Sequence, residues 1–270
     1  MNAPAPTPDL ACDDLLPDEP ARRAHPVPLV LLHGFPLDRT VNREVARQVA
    51  GVRRVLNIDL PGFGESPAVG AFSIPDLARH LRHFLMRKGA LPCVLGGLSM
   101  GGYVALAYHR LFRADLRGLV LIDTKAEADT PEAKGNRDRM IDIVHREGSA
   151  AIARLMLPRM LAPAHSTPGH PLVQRLMEVM SACPAETVAF ALAAMRDRDD
   201  YVQDLLTTDL PVLVVTGEHD VITPPSLGEQ TAGRCRRGRF ARIDGAGHMA
   251  PLERPEAVAG AIRSFLADVN

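Results

Sequence analysis

The stretch G-G-L-S-M-G-G at residues 96–102 constrains this chain more than any other. It follows a short apolar run, Pro92, Cys93, Val94 and Leu95, that reads as a buried strand. It precedes a largely apolar segment of helical length at residues 103–112. A strand, a tight glycine turn and a helix are the setting in which G-x-S-x-G acts as a nucleophile elbow. Gly97 and Gly101 flank Ser99 because side chains two residues either side of so sharp a turn would collide. The turn lifts the Ser99 hydroxyl out of the sheet. The N-terminus of the following helix offers unpaired N–H groups to a developing negative charge. Eight serines and 21 glycines among 270 residues would produce this pattern by chance only about 0.05 times.

The rest of the chain alternates in the same sense. Apolar strands are expected at 27–32, 52–58, 118–122, 212–215 and 240–243, and helices at 38–50, 74–87 and 258–266. Strands that are apolar throughout and alternate with helices predict an α/β fold, its mostly parallel sheet covered by helices on both faces. The rhythm stops between residues 125 and 206, where helical stretches are broken by Pro158, Pro163, Pro168, Pro171 and Pro184. That segment reads as a helical cap insertion over the C-terminal edge of the sheet, where open α/β sheets bind ligands. The expected organisation is therefore a loose N-terminal arm at 1–25, a core at 26–124 and 207–270, and a cap at 125–206.

Six of the ten methionines fall in the insertion, and methionine is an adaptable lining for an apolar pocket. Met156 and Met160 are candidates for substrate contact. The basic residues of the insertion, Lys125, Lys134, Arg137, Arg139, Arg146, Arg154, Arg159, Arg175, Arg196 and Arg198, read as solvated helix faces, with a basic anchor for a charged substrate as the alternative. Short-to-medium, mainly apolar esters are the substrates expected from such a roof. With 31 basic and 32 acidic residues and a net charge of −1, the chain offers no electrostatic case for nucleic acid or an anionic membrane as partner. No apolar run approaches 18 residues, and the opening M-N-A-P-A-P lacks the basic start and apolar stretch of a secretory signal. Cys12, Cys93, Cys183 and Cys235 are scattered and form no C-x-x-C pair, which suits reduced thiols and a cytoplasmic location.

A serine hydroxyl is a weak nucleophile near neutral pH and needs an adjacent base, itself oriented by a third group. His248 is the best-placed base, because it follows the last expected strand in a glycine-rich loop, G-A-G-H, that is free to bring the imidazole over the elbow. Two carboxylates qualify as the orienting acid: Asp220, after the strand at 212–215, and Asp123, after the strand at 118–122. The chain order serine, acid, histidine fits both. Asp220 is favoured, because Asp123 leads into the insertion and is placed to cap it. A tetrahedral oxyanion also needs preorganised donors. The backbone N–H groups of Met100, directly after the nucleophile, and of Phe35, after His33 and Gly34, are the candidates. Their side chains remain free to wall the acyl pocket. His33 reads as a brace for its loop.

From Pro26 to the C-terminus the chain resembles the α/β-hydrolase family in its cap-bearing branch. The residues that carry the resemblance are H-G-F-P at 33–36, D-L-P-G-F-G-E-S at 59–66, G-L-S-M-G-G at 97–102, G-E-H-D at 217–220 and G-A-G-H-M-A-P-L-E-R-P-E at 245–256. The resemblance implies a triad of Ser99, Asp220 and His248, a cap over the site, and neither metal nor other cofactor. Serine rather than aspartate at the nucleophile position sets the dehalogenase and soluble epoxide hydrolase branches aside. The short G-L-S-M-G-G form and the cap length are similar to 3-oxoadipate enol-lactonases and small bacterial carboxylesterases. Two features depart from the pattern. Residues 1–25 do not look like the strand hairpin that usually opens the family, and Arg39, Thr40, Val41 and Asn42 stand where relatives often carry an aromatic residue. The expected function is hydrolysis of a small-molecule ester or lactone through an acyl-enzyme on Ser99. Enol-lactone hydrolysis is the next reading, and a slow-turnover ligand-binding receptor is the reading from another class.

Overall fold

The computed structural model describes residues 9–17 and 27–269. Its seven-stranded sheet comprises β1 (Cys12–Leu15), β2 (Leu29–Leu32), β3 (Val55–Ile58), β4 (Cys93–Leu98), β5 (Leu116–Ile122), β6 (Pro211–Gly217) and β7 (Arg237–Ile243), in the order β1-β3-β2-β4-β5-β6-β7. Every pairing is parallel except that of β1 with β3. In chain order the helices are α1 (Arg43–Ala50), α2 (Ile74–Arg87), α3 (Met100–Phe112), α4 (Pro131–Glu147), α5 (Ser149–Met156), α6 (Pro171–Ala182), α7 (Ala185–Arg196), α8 (Val202–Thr207), α9 (Pro225–Arg234), α10 (Ala250–Glu253) and α11 (Pro255–Leu266).

The central strands are apolar at every position because successive residues enter different cores. Val30, Leu32, Leu56, Leu119 and Leu121 pack with Leu77 and Leu81 of α2 and Val104 of α3. Their neighbours Leu29, Leu31, Val55 and Val120 pack instead with Val45 and Val49 of α1 and Val258 and Ile262 of α11. Two such cores hold the C-terminal ends of β2, β4, β5 and β6 in one row, and the loops that leave those ends meet above the sheet.

The segment between β5 and β6 carries helices and no strand. Helix α4 packs on α7 and α5 on α6. Two breaks fall at prolines singled out in the sequence, Pro171 opening α6 and Pro184 preceding α7, whereas α4 and α5 are separated by Gly148 at φ 76°. Helix α8, at the end of the insertion, packs down on the core: Leu205 is fully buried and Asp204 pairs with Arg110 of α3. Among the described residues no single helix is long and apolar enough to cross a membrane; α6 and α7 would be so only together, and they meet at a 95° bend.

The reading of 1–25 as a loose arm fails at Cys12–Leu15, which form the antiparallel edge strand β1 with Cys12 opposite Ile58 and Leu15 opposite Val55. A four-residue strand leaves little periodicity to read. Its central Asp13 and Asp14 are turned to partners the local sequence does not reveal: Asp13 takes Arg39 at 3.1 Å and Asp14 takes Arg54 at 2.8 Å. Acidic side chains on a short edge also discourage pairing with another chain. The remainder of that arm, 1–8 and 18–25, lies outside the described residues.

Two histidines are buried as neutral imidazoles. His33 donates from Nδ1 to the carbonyl of Gly34 at 2.8 Å and accepts the N–H of Leu60 at Nε2, 3.0 Å away. It braces its loop, as the sequence suggests. His109 is 3% exposed and reaches Thr208 with Nε2 at 3.0 Å. Burial lowers both from the ordinary histidine range. A base whose folded pKa is depressed contributes stability that is complete above its unfolded value, about 6.5, and is lost as pH falls below it, because only the unfolded chain then takes up the proton. Denaturant unfolding between pH 7 and 5 should therefore show stability falling with pH. His109→Gln should flatten that slope by up to about 1.4 kcal/mol per pH unit. An unchanged slope in the variant would contradict the neutral burial.

Candidate active site

Strand β4 ends at Leu98 and α3 begins at Met100, so the whole change of direction falls on Ser99, at φ 51° and ψ −110°. An L-residue tolerates this conformation only where its surroundings impose it. The Ser99 N–H donates to the Ile122 carbonyl at 2.9 Å, and the Ser99 carbonyl accepts the Gly102 N–H at 2.9 Å and the Thr124 hydroxyl at 2.8 Å. The flanking glycines answer to close approach. A Cβ on Gly97 would run into the carbonyl of Gly101, and one on Gly101 would come within 2.7 Å of the His33 carbonyl oxygen. Side chains at either position would push the helix off the strand.

Ser99 is half-buried, and its hydroxyl lies 3.0 Å from Nε2 of His248. Nδ1 of the same ring lies 2.8 Å from Oδ2 of Asp220. A carboxylate can only accept, so Nδ1 carries the proton and Nε2 is left to accept from the serine. Asp220 is itself held from several sides: Oδ1 accepts the N–H groups of Ile222 and Thr223 at 2.8 and 2.9 Å, and Oδ2 accepts the Thr223 hydroxyl at 2.6 Å. Burial pushes the Asp220 carboxyl up, yet His248 and Thr223 outweigh it and hold the group below the usual carboxylate range. The arrangement is that of a serine hydroxyl against an imidazole whose far side is fixed by an anion, which suits proton removal from the hydroxyl.

Met100 follows this serine directly, and Phe35 lies in the loop that leaves β2. Met100 is the first residue of α3, where geometry leaves the N–H without a carbonyl one turn back. The loop carrying Phe35 is close as well, since a Cβ on Gly34 would lie 3.3 Å from that of Ser99. The Phe35 ring is buried at 4% exposure. Of the methionines singled out, Met156 lines a cavity of about 590 Å³ under the insertion, whereas Met160 is fully buried in the packing and lends that cavity no surface. The same cavity is walled by Tyr103, one turn along α3 from Ser99, and by Thr223. Lys125, Arg137, Arg139 and Arg159, read from sequence as solvated faces, also border it. Among the described residues no three His, Cys, Asp or Glu side chains gather in a way that would hold a metal ion.

The alpha/beta hydrolase family matches residues 29–261 of the sequence. The chain belongs to that family. A thermophilic esterase from Thermogutta terrifontis, solved with malate bound, superposes with a TM-score of 0.89 at 38% identity, covering 96% of this chain and 93% of that one. A pimeloyl-[acyl-carrier protein] methyl ester esterase of Neisseria meningitidis is 26% identical over 88% of this chain and 76% of its own length. The enol-lactonase of Burkholderia xenovorans shares the fold, with a TM-score of 0.85 at 22% identity and 96% coverage of both chains.

In this α/β-hydrolase two further carboxylates hold the loops that meet at Ser99. Asp123, the second acid weighed from sequence, does not face His248. It accepts the N–H of Gly217 at Oδ1, 2.8 Å away, and that of Ala250 at Oδ2, 3.2 Å away. Burial, then the charge of Asp220, pushes its carboxyl well above the usual range. Glu253 lies within the C-terminal motif at 245–256. Its Oε1 accepts the Gly247 N–H at 2.7 Å, next to His248, and its Oε2 accepts the N–H of Ala162 at 2.8 Å and meets Nδ1 of His165 at 2.7 Å. One buried carboxylate thus ties the histidine loop to the insertion. Thr223 was missed too, although a hydroxyl three residues after an acid that ends a strand is a recurrent turn partner. Glu253→Ala should release both segments together: amide exchange should accelerate in peptides covering 160–166 and 244–249 alike. Acceleration in one without the other would refute the joint clamp.

Proposed function

We propose that the chain is a serine esterase that cleaves small carboxylic esters through an acyl-enzyme on Ser99, with His248 as general base and acid and Asp220 as the orienting anion. The observation that carries this reading is the unbroken relay from Asp220 Oδ2 through His248 to Ser99 Oγ, with contacts of 2.8 and 3.0 Å. Family membership and the 38% identical esterase support the ester as substrate class.

In the proposed cycle the Ser99 hydroxyl passes its proton to Nε2 of His248 as Oγ attacks the ester carbonyl carbon. The carbonyl π pair moves to oxygen, where the N–H groups of Phe35 and Met100 stabilise the oxyanion. Collapse breaks the bond to the alcohol oxygen, which leaves with the proton from Nε2 and gives the acyl-enzyme. Water then loses a proton to His248 as it attacks the acyl carbon, and collapse returns Ser99 to its hydroxyl form while the acid departs. Asp220 keeps the imidazole in one tautomer and stabilises the imidazolium between these transfers. The insertion at 125–206 acts as a cap. Met140, Ile143 and Met156 on the cavity wall favour an apolar body in the substrate, and Phe35 backs the acyl end.

Ser99→Ala should lower turnover of p-nitrophenyl esters by on the order of a millionfold. An organophosphonate should label the Ser99 peptide alone, and a label on another serine would overturn the assignment. Sustained turnover separates this reading from a slow receptor, which would give one burst and stall. Asp220→Asn should cost roughly 10⁴ in kcat with the melting temperature retained. Asp123→Asn should act mainly on stability, by about 1–3 kcal/mol, because an amide nitrogen would face a backbone N–H. A reversed outcome would assign the acid to Asp123.

A further inference from the structure

The cavity beneath the insertion is over-supplied with positive charge. Lys125, Arg137, Arg139 and Arg159 border it, against the single lining carboxylate pair-former Asp129. Asp129 is buried, its side chain 2% exposed, and it already serves three cations: Arg198 at 2.8 Å, Arg137 at 3.1 Å and Lys125 at 3.7 Å. Arg198 is fully buried behind the wall and lays its guanidinium 4.0 Å over the ring of Tyr103, fixing the cluster to the helix that begins after Ser99. Arg139 reaches only the neutral side-chain oxygen of Asn136, and Arg159 forms no ion pair or hydrogen bond with a described residue. Burial, then the charge of Arg198, lowers the Lys125 ammonium from the ordinary lysine range, as expected where cations outnumber anions.

Surface arginines on a helix are ordinarily solvated and need no partner. These differ in being gathered around a concavity that shares a wall with the relay: Thr223 both lines it and donates to Asp220 at 2.6 Å. Arginines bordering one space can offer their guanidinium forks to the two oxygens of a carboxylate. Met140, Ile143, Met156 and Ile222 on the same wall suit a hydrocarbon spacer. The geometry points to an anion subsite in the cap: the substrate is an ester carrying a free carboxylate a few carbons from the scissile carbonyl, held by Arg139 and Arg159 with Arg137 and Lys125 behind them. This rests on the esterase reading and names its substrate class.

Two isosteric esters test it, p-nitrophenyl valerate and mono-p-nitrophenyl glutarate, which differ in a terminal methyl against a carboxylate. The wild-type protein should favour the glutarate ester by tenfold or more in kcat/KM, and the preference should shrink as salt rises from 50 to 500 mM. In the double variant Arg139→Gln, Arg159→Gln the ratio should fall to near one, while Arg146→Gln, on the exposed end of α4, keeps the wild-type ratio. Glutarate itself should bind the wild-type protein in calorimetry and lose at least tenfold in affinity in the double variant, a readout that needs no turnover. Loss of valerate hydrolysis by the wild-type protein would count against the esterase reading alone. Brisk valerate hydrolysis with a ratio near one, or a ratio the double variant leaves unchanged, would overturn the subsite and leave the cations facing an acidic macromolecule instead.

Discussion

The backbone of Ser99 is the constraint on which the site depends. A φ of 51° with a ψ of −110° costs on the order of 1–3 kcal/mol for a residue with a side chain. The conformation persists because both ends of the turn are fixed elsewhere. Gly97 is in register with Leu32 of β2 and Leu98 with Ile122 of β5, and α3 lies so close to β2 that only glycine fits at position 101. A hydrogen bond to the Ile122 carbonyl at the end of β5 and one from the Thr124 hydroxyl just beyond it complete the cage. With the serine rigid, the rest of the relay can be positioned against a fixed point.

Buried carboxylates do that positioning. The glycines before His248 read from sequence as sources of freedom, and the folded loop uses them differently. A Cβ on Gly247 would meet the backbone of Leu161 and Ala162, and one on Gly217 would meet the carbonyls of Ala246 and Gly247. Three chain segments meet there backbone to backbone, and Asp123 and Glu253 accept the N–H groups that such contact would strand. The loop is held by close packing, and its glycines are what close packing requires. Burying a carboxylate is expensive unless its oxygens are satisfied, which is why both acids sit where N–H groups converge.

The insertion adds charge to a site whose relay is otherwise nearly dry. Its methionines divide by role once folded: Met156 faces the cavity, while Met160 and Met180 pack the helices together. Its arginines divide in the same way. Arg196 pairs with Asp138 and Asp197 on the outside, whereas Arg137 and Arg198 turn inward to Asp129. Helices that contribute nothing to the sheet thus supply most of the lining of that cavity.

The sequence by itself determined the α/β architecture, the parallel sheet and the helical interruption between β5 and β6. Those follow from local periodicity, from glycine and proline placement and from strands apolar at every position, all of which are written within a dozen residues. It also singled out Ser99, Asp220 and His248, because a serine between glycines, an acid after a strand and a histidine in a late loop are each local signals in a fixed order. Only the tertiary structure decided between Asp220 and Asp123 as neighbour of His248, since both end parallel strands and differ only in which way the folded loop turns the side chain. The edge strand Cys12–Leu15 and the clamp at Glu253 were likewise invisible beforehand, and which of the insertion's basic residues border the cavity was left open. Each depends on partners 26 to 91 residues away, such as Arg39 for Asp13 and Ala162 for Glu253. Distances of that kind are set by packing, and no local pattern encodes them.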